Sequence, residues 1–384
     1  MSHPNKDLEH IIKETGVYQC LDCGKCTGAC PVAETGKVFS PRLAASRIIE
    51  KGDSDPYVQE FVWACLTCGR CDDRCPSGVR FSDFVRLLRC RWIDSGKPGV
   101  YSHGGAMLSL MRMMSSPHLR QNRKSFLPSE INTVSRGKVL YFTGCLPYFD
   151  VFFKNLDLNM VQMAADSLKI LNRCDIEPVV LNNERCCGHD LFWAGDQRGF
   201  AKLAKESYEE IKDHGVQEVI TSCPECFYTF KEIFPQVLNN FDLKVTHIYE
   251  SIEDRLIGRS CDSKLKPLDL KVSFKDSCRL NFYKDISQIP RKILERIKGL
   301  NIRETSGSQI GDICCGNSAW VGCGGHSKII QMKRLRETLD TGSQLLVTSC
   351  PKCLIHLQCT IKDFYSGEKL EIKDMVSLLA VALD

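Results

Sequence analysis

Residues 314–320 read Cys-Cys-Gly-Asn-Ser-Ala-Trp, and the first three belong to a pattern that occurs twice in the chain. Each copy has a lone cysteine, then Cys-Cys-Gly, then Cys-Pro-x-Cys. The distance from Cys187 to Cys223 is 36 positions, and that from Cys315 to Cys350 is 35. This agreement, on a period near 130 residues, predicts two copies of one domain. Their cysteines are Cys145, Cys186, Cys187, Cys223 and Cys226 in the first copy, and Cys278, Cys314, Cys315, Cys350 and Cys353 in the second.

Short apolar runs precede most of these cysteines and predict buried strands. They cover residues 138–143, 178–181 and 218–221 in the first copy, and 270–274 and 345–348 in the second. Between them, apolar residues recur at helical spacing, as at Phe200, Leu203, Ala204 and Ile211. Strands that alternate with such helices indicate a parallel sheet, whose ligands bind beyond the carboxyl ends of the strands. We therefore expect two repeated α/β domains with small parallel sheets, each bringing five thiols to one crevice.

Five thiols at one site suit a soft metal group. Thiolates select zinc, copper(I) or iron with sulfide, but a structural zinc takes only four ligands. A fifth cysteine at matching positions is surplus for zinc and argues against it. A zinc site or reduced core cysteines stay the alternatives to a larger metal group. Gly188 and Gly316 directly follow the cysteine pairs. Glycine there fits a backbone that is pressed close to a cofactor or held at positive φ.

The N-terminal part has a second cysteine pattern, Cys-x2-Cys-x2-Cys-x3-Cys-Pro, which recurs 45 positions later. This is the run of bacterial two-cluster ferredoxins, in which three cysteines bind one cubane cluster and the fourth binds the other. Zinc is a poor alternative for eight cysteines in this spacing. Helical periodicity over residues 81–88 predicts a mostly helical module. By the ferredoxin rule we expect one cluster on Cys20, Cys23, Cys26 and Cys75, and the other on Cys65, Cys68, Cys71 and Cys30.

With both patterns in view, the chain resembles the heterodisulfide reductase family. The paired sets resemble the cysteine-rich CCG domains of its catalytic B subunit over roughly residues 137 to 384, and the N-terminal module resembles its C subunit. The whole chain is similar to a fusion of the two, as in the D subunit of the membrane-associated enzyme. The resemblance implies two cubane [4Fe-4S] clusters and two noncubane [4Fe-4S] clusters, one on each set of five cysteines.

The resemblance also implies a function and partners. A flavin-containing A-type subunit or a b-type cytochrome, with other redox subunits, would supply electrons to the cubane clusters. A small disulfide would be cleaved to thiols between the two noncubane clusters. Relatives with the same motif serve instead as electron conduits in glycolate, lactate and glycerol-3-phosphate oxidising systems, and in class II benzoyl-coenzyme A reductase complexes. A zinc-stapled interaction scaffold is a third hypothesis.

Four residues near the motifs are candidates for the chemistry. His189 directly follows Cys-Cys-Gly, and His326 follows the glycine-rich segment around Cys323. Either imidazole could donate a proton or hydrogen-bond a cluster sulfur. Cys323 would need exposure and a lowered pKa to react. Arg279 stands where many relatives have a histidine, so its permanent charge predicts an anionic substrate group or cluster charge nearby.

The composition excludes some classes of protein. A net charge of +4 on 384 residues gives no electrostatic case for nucleic-acid binding. No apolar run approaches the length of a membrane span. The odd count of 23 cysteines, their metal-like spacing and the absence of a signal peptide favour a reducing cytoplasm over a secreted disulfide scaffold. We expect a cytoplasmic protein that contacts a membrane only through a partner subunit.

The two patterns divide the chain into four expected segments. These are a two-cluster ferredoxin-like domain at residues 1–100, a helical connector at 101–136, and cysteine-rich domains at 137–260 and 261–384. The connector has a methionine-rich stretch and basic residues, which predict either a packed helix with a solvated tail or a docking surface. Cysteines outside both patterns are expected to be core or surface thiols; besides Cys323 they are Cys90, Cys174, Cys261 and Cys359.

Overall fold

The computed structural model of the chain describes residues 7–36, 38–257, 265–306, 314–365, 367 and 369–383. These residues form two compact units, each built from several stretches of sequence. The first unit contains the N-terminal cysteine pattern, the segment that follows the first cysteine pair and the segment that contains the second pair. Its stretches are Met1–Met113, Gly188–Phe200 and Cys314–Gln331, and those of the second unit are Met114–Cys187, Ala201–Ile313 and Met332–Asp384.

The N-terminal part of the first unit is helical, as predicted. Its helices are α1 (Leu8–Glu14), α2 (Lys25–Ala29), α3 (Pro41–Lys51), α4 (Pro56–Ala64), α5 (Arg70–Arg74), α6 (Phe81–Asp94) and α7 (Ala106–Met114). Helix α3 begins at Ser40, whose hydroxyl accepts a hydrogen bond from the Leu43 amide, with Pro41 at the first helical position. Helix α6 buries one face, which includes Phe81, Phe84 and Leu88.

The first cysteine-rich copy builds a three-stranded parallel sheet in the order β1-β2-β3. Val139 pairs with Glu218, and Glu218 pairs with Lys244. The elements of this copy are β1 (Val139–Tyr141), α8 (Leu146–Phe152), α9 (Met160–Arg173), α10 (His189–Ala194), α11 (Gln197–Asp213), β2 (Glu218–Thr221), α12 (Pro224–Tyr228), α13 (Phe234–Val237), β3 (Lys244–His247) and α14 (Ile248–Ile252).

The predicted strand at residues 178–181 forms only isolated parallel bridges, from Val179 to Leu140 and to Val134. Val179 donates to the Val139 carbonyl and accepts from the Tyr141 amide, at 2.8 and 3.0 Å. The ladder goes no further because Pro178 has no amide hydrogen to donate and the chain turns at Asn182. The segment still lies beside β1 at the edge of the sheet.

The second copy builds a four-stranded parallel sheet in the order β5-β4-β6-β7. Strand β6 is buried along its whole length, which is typical of the centre of a parallel sheet. The elements of this second copy are β4 (Leu270–Lys275), α15 (Lys284–Glu295), β5 (Leu300–Ile302), α16 (Gly325–Asp340), β6 (Leu345–Thr348), α17 (Pro351–Phe364), β7 (Glu371–Asp374) and α18 (Met375–Leu383).

Both sheets place motif cysteines just beyond the carboxyl ends of their strands. Cys145 and Cys223 follow β1 and β2, and Cys278 and Cys350 follow β4 and β6. This is the position at which parallel sheets bind ligands. The predicted fold class, a helical dicluster domain followed by two α/β domains with small parallel sheets, is confirmed.

Candidate functional site

The two N-terminal cysteine runs fold into the same local structure. In each run a glycine in the left-handed region follows the second cysteine: Gly24 has φ +77° and Gly69 has φ +78°. These glycines begin α2 and α5, which contact each other. Cys30 and Cys75 end the two helices in extended conformation. The sequence repeat is thus also a structural repeat.

Electrostatic interactions connect the thiols of the two runs. Cys30 interacts with Cys65 as well as with its neighbour Cys26, and Cys71 interacts with Cys65, Cys68 and Cys30. Burial raises the pKa of Cys30 to about 12 and that of Cys71 well above its usual range. Because a buried thiolate is costly without a cation, these thiols fit a site in which a metal supplies the positive charge. The contacts support the expectation that Cys30 joins the second run.

A buried arginine holds the start of the second run, and sequence reasoning missed it. Arg89 donates to the carbonyls of Val62, Cys65 and Trp193, with its shortest distances to them between 2.7 and 2.8 Å. Burial lowers the pKa of Arg89 to about 10, so it is still a cation at neutral pH. An arginine inside the apolar face of α6 was the available signal. It places positive charge beside a predicted cluster ligand.

The five cysteines of the first copy meet in the second unit. The sulfur of Cys145 lies 3.3 Å from that of Cys186. Cys187 has side-chain hydrogen bonds with Cys186 and Cys226, and Cys226 has one with Cys223. The hydrogen bond with Cys186, with burial, raises the pKa of Cys187 well above its usual range. The structure therefore brings together all the thiols predicted for this set, and they form no disulfide.

Gly144, directly before Cys145, makes this close packing possible. Its φ is +63°, and a Cβ atom at this position would lie 3.0 Å from the sulfur of Cys226. A side chain there would both strain the backbone and press on a ligand. The glycine was not singled out from the sequence, although it directly precedes the lone cysteine.

A buried ion pair holds the loop before Cys145, and it too was missed. The Glu184 carboxylate accepts hydrogen bonds from the Thr143 and Gly144 amides, at 3.0 and 2.9 Å. Arg123 lies 3.5 Å from this carboxylate and donates to the carbonyls of Glu184 and Gly144. Burial raises the pKa of Glu184 to about 7, against the opposing effect of Arg123. This Arg123–Glu184 clamp joins the loop of Cys145 to the segment that leads into Cys186.

The second set of cysteines is divided between the two units. Cys278, Cys350 and Cys353 belong to the second unit, where Cys350 and Cys353 share a side-chain hydrogen bond. Cys314 and Cys315 belong to the first unit and are buried there. That all five bind one cluster stays a prediction.

Gly316, after the second cysteine pair, has φ +94°, and a Cβ atom there would lie 2.8 Å from the Ser327 carbonyl oxygen. The counterpart Gly188 has φ +80° and begins α10. Both positions therefore require glycine for the backbone conformation that was predicted from the sequence. Whether either glycine lies against a cofactor stays a prediction.

Contacts inside the second unit join the two copies at their cysteine turns. The guanidinium of Arg279 lies over the ring of Tyr228, 5.2 Å from its centroid, and is almost completely buried. Lys352 of the second Cys-Pro-x-Cys turn lies 2.6 Å from Glu225 of the first. The charge of Cys223 also acts on Cys350. The first five-thiol site therefore lies next to cysteines of the second set.

The two candidate histidines have identified hydrogen-bond partners. His189 is buried, with Nδ1 2.9 Å from an Asp190 carboxylate oxygen. His326 Nδ1 lies 2.8 Å from the Thr35 hydroxyl. Cys323 is half-buried between glycines. These side chains, with Arg279, stay candidates for the chemistry.

The cysteines outside both patterns have no shared environment. Cys90 and Cys174 are buried, and Cys359 is half-buried with its thiol 3.6 Å from an Asp363 oxygen. Cys261 lies outside the described residues. In the connector, α7 buries Met107, Leu108, Met111 and Met114 but exposes Met113.

Two protein families match this chain. A family described as a 4Fe-4S dicluster domain matches residues 16–79, and one described as a cysteine-rich domain matches residues 139–231 and 272–358. The matched residues contain both cysteine patterns in the same order. The chain is thus an iron-sulfur protein that combines a dicluster domain with paired cysteine-rich domains.

Similar proteins refine this assignment. The D subunit of the dihydromethanophenazine:CoB–CoM heterodisulfide reductase of Methanosarcina acetivorans is 28% identical over 316 residues, covering 80% of this chain and 74% of that protein. The chain is thus similar to a heterodisulfide reductase D subunit, and its own dicluster domain precedes two cysteine-rich domains. The EtfAB:quinone oxidoreductase of Syntrophomonas wolfei is 26% identical over 255 residues, covering 64% of this chain and 34% of that protein.

Two further findings concern fold and membrane. The crystal structure of a hypothetical protein from Helicobacter pylori has a TM-score of 0.55 at 9% identity, covering 98% of this chain and 72% of that one. That likeness shows the fold alone. Among the described residues, no helix is both long and apolar enough to cross a bilayer.

Proposed function

We propose that this iron-sulfur oxidoreductase subunit passes electrons from a redox partner through two cubane [4Fe-4S] clusters to a pair of noncubane clusters, where a disulfide is reduced. The observation that carries the proposal is the meeting of five free thiols in the first copy. Four would complete a tetrahedral zinc site, so the fifth favours a larger iron-sulfur group. The family matches support iron-sulfur clusters at both patterns.

The protein's own contribution is to hold and insulate the clusters. Bound clusters would supply one-electron transfer and an iron that can bind sulfur, and a disulfide takes up two electrons and two protons to give two thiols. Cys186, Cys187 and Cys226 are buried, so their environment excludes water, which tunes cluster potentials together with hydrogen bonds to sulfur. The Arg123–Glu184 clamp keeps the loop of Cys145 in place.

Arg279 is the candidate residue with the best structural support. It directly follows Cys278 and lies over Tyr228, two residues after Cys226. A buried permanent cation between ligands of both sets suits an anionic group on the substrate or the charge of a reduced cluster. His189 and His326 stay candidate proton donors, and Cys323 stays a candidate redox thiol.

The proposal extends to partners, location and domain limits. The electron donor would be a flavin-containing A-type subunit or a b-type cytochrome, and the protein would act in the cytoplasm, meeting a membrane only through a partner. Its domains would be residues 1–100, 137–260 and 261–384, joined by the connector at 101–136.

Iron and sulfide analysis of the anaerobically purified protein tests the cluster assignment. Four [4Fe-4S] clusters predict about sixteen irons per chain. Cys226→Ala should reduce that number by about four, whereas the matched Cys359→Ala should leave it unchanged, since Cys359 belongs to neither pattern. About eight irons with bound zinc in the wild-type protein would rule out the noncubane pair.

A second candidate function is electron conduction without disulfide chemistry. The similarity to a protein named EtfAB:quinone oxidoreductase favours it. Thiols added to the oxidised protein distinguish the two functions by electron paramagnetic resonance (EPR). A new paramagnetic cluster-thiol signal supports disulfide reduction, and an unchanged spectrum supports the conduit.

A further inference from the structure

The middle residues of the two Cys-Pro-x-Cys turns have opposite charges and contact each other. Glu225 lies between Cys223 and Cys226, and Lys352 lies between Cys350 and Cys353. The Lys352 ammonium is 2.6 Å from a Glu225 carboxylate oxygen, and the side chains are only 6% and 13% exposed. Equivalent positions of the repeat thus form one buried ion pair.

The two charged residues lie in short helical turns that also carry four predicted cluster ligands. Pro224 and Pro351 occupy the first positions of α12 and α17, so each charged residue lies in the first turn of a helix. The contact between Glu225 and Lys352 joins the turn of Cys223 and Cys226 to the turn of Cys350 and Cys353. A displacement or charge change at either turn is therefore transmitted to ligands of both sets.

Stability alone does not account for this pair. Two charges lose their hydration when they are buried, and replacing such a pair with apolar residues is often neutral or even stabilising. Buried ion pairs are best attested as devices that fix register between elements. The elements that this pair joins are the two turns that carry cluster ligands.

We propose that Glu225 and Lys352 are positioning residues that fix the spacing of the two noncubane clusters and keep the charge between them balanced. This inference rests on the cluster pair of the proposed function but does not require a disulfide substrate. The two opposite charges partly cancel at each cluster. Removing one of them would shift the reduction equilibria of both clusters, because the pair lies between ligands of both sets.

The variants Glu225→Gln and Lys352→Gln should have opposite effects. Glu225→Gln removes a negative charge, which favours the reduced and more negative clusters, so their potentials rise. Lys352→Gln removes a positive charge, which disfavours reduction, so the potentials fall. We expect at least a tenfold change in the reduction equilibrium in each direction, which is 59 mV for a one-electron couple.

The test is an anaerobic redox titration followed by EPR, with iron content measured on every sample. The charge-swapped variant Glu225→Lys with Lys352→Glu should retain wild-type iron and the wild-type spin interaction between clusters. Lys212→Gln is the matched control, since it removes an exposed 2.8 Å ion pair with Asp242 in the same unit. It should change neither iron content nor potentials.

If the single variants lose iron, its recovery in the charge-swapped variant still supports a positioning role. Shifts of the same sign in both single variants, no shift in either, or a charge-swapped variant as poor in iron as the single ones would each overturn the proposal. A wild-type protein that holds four clusters but reduces no disulfide would overturn the proposed function and leave this inference intact.

Discussion

The two cysteine-rich copies hold the loop of their lone cysteine in different ways. In the first copy the loop is held by the carboxylate of Glu184, a residue outside the loop. This carboxylate accepts hydrogen bonds from the loop amides and pairs with Arg123. In the second copy the carboxylate lies in the loop: Asp276, two residues before Cys278, binds both terminal nitrogens of Arg291, at 2.7 and 2.6 Å.

The difference lies in how far each pair is exposed to water. The side chains of Arg123 and Glu184 are 4% and 0% exposed, whereas those of Arg291 and Asp276 are 22% and 11% exposed. Arg291 also binds Glu304, so it has a second carboxylate. One structural requirement, a rigid loop beside a predicted cluster ligand, is met by a deeply buried ion pair in one copy and by a more exposed pair in the other.

The largest expected effect on stability is that of removing the carboxylate of the Arg123–Glu184 clamp. Glu184→Ala leaves the Arg123 charge buried without its carboxylate, and should reduce the free energy of unfolding by about 3 to 5 kcal/mol. Asp276→Ala should cost only about 1 kcal/mol, since Arg291 keeps Glu304 and part of its hydration. Anaerobic thermal unfolding of both variants measures the difference, and equal losses would contradict this account.

The next effect is the pH dependence of stability, which should have opposite signs for the residues that end β3 and β7, two equivalent positions of the repeat. His247 ends β3 and caps α14, and Asp374 ends β7 and accepts from amides at the start of α18. Burial lowers the pKa of His247 to about 3 and raises that of Asp374 to about 7.

The Asp374 contribution is therefore complete below its unfolded pKa near 4 and is lost as the pH rises through 7, up to about 4 kcal/mol. The His247 contribution is complete above its unfolded pKa of about 6.5 and is lost as the pH falls towards 3. Melting temperatures are measured from pH 4.5 to 8 for the wild type and both variants. The decrease of the wild-type melting temperature towards high pH should be absent in Asp374→Asn, and its decrease towards low pH should be absent in His247→Asn. Unchanged profiles would show that the pKa shifts are absent.

A smaller effect concerns the close approach at Gly144. Gly144→Ala combines left-handed strain with crowding of the Cys226 sulfur, and should cost about 2 kcal/mol with loss of about four irons. Gly215→Ala is the control, because Gly215 has φ +78° but open space around its Cβ position. That variant should show the strain without the loss of iron. Iron analysis separates the two contributions.

The last prediction concerns Arg279, where the first copy has Leu146 in the same place after its lone cysteine. Arg279→Leu makes the copies alike and removes a buried permanent cation, so its effect is sought in substrate binding. If Arg279 binds an anionic substrate group, the affinity for an anionic disulfide should fall at least tenfold, as measured by KM. An unchanged KM would remove that role.

Local signals predicted the strands, the helical dicluster module and the five cysteines that the first cysteine-rich copy brings together. Metal-ligand spacing and strand patterns are properties of short segments, so one sequence was sufficient to read them. The length of the strand at residues 178–181 was overestimated, because an apolar pattern does not show that Pro178 lacks an amide hydrogen for the sheet.

The pairs that hold these segments together could not be read in the same way. Arg123 and Glu184 are 61 positions apart, and Glu225 and Lys352 lie in different copies of the repeat. Such a pair forms only when the fold brings distant residues together, and no local pattern marks either partner. A charged residue within two positions of a predicted ligand, as at Glu184 and Glu225, was the weak signal that could have been followed.

The way the two copies contact each other has a consequence for which side chains can form a pair. Tyr228, after the first Cys-Pro-x-Cys turn, packs on Phe282 after the second lone cysteine, and Lys362 of α17 donates to the Asn155 carbonyl after the first. Such reciprocal contacts are those of a symmetric homodimer, in which a residue on the twofold axis meets its own copy. There a glutamate would face a glutamate. Two copies within one chain can differ in sequence, so a glutamate can face a lysine, as Glu225 and Lys352 do here.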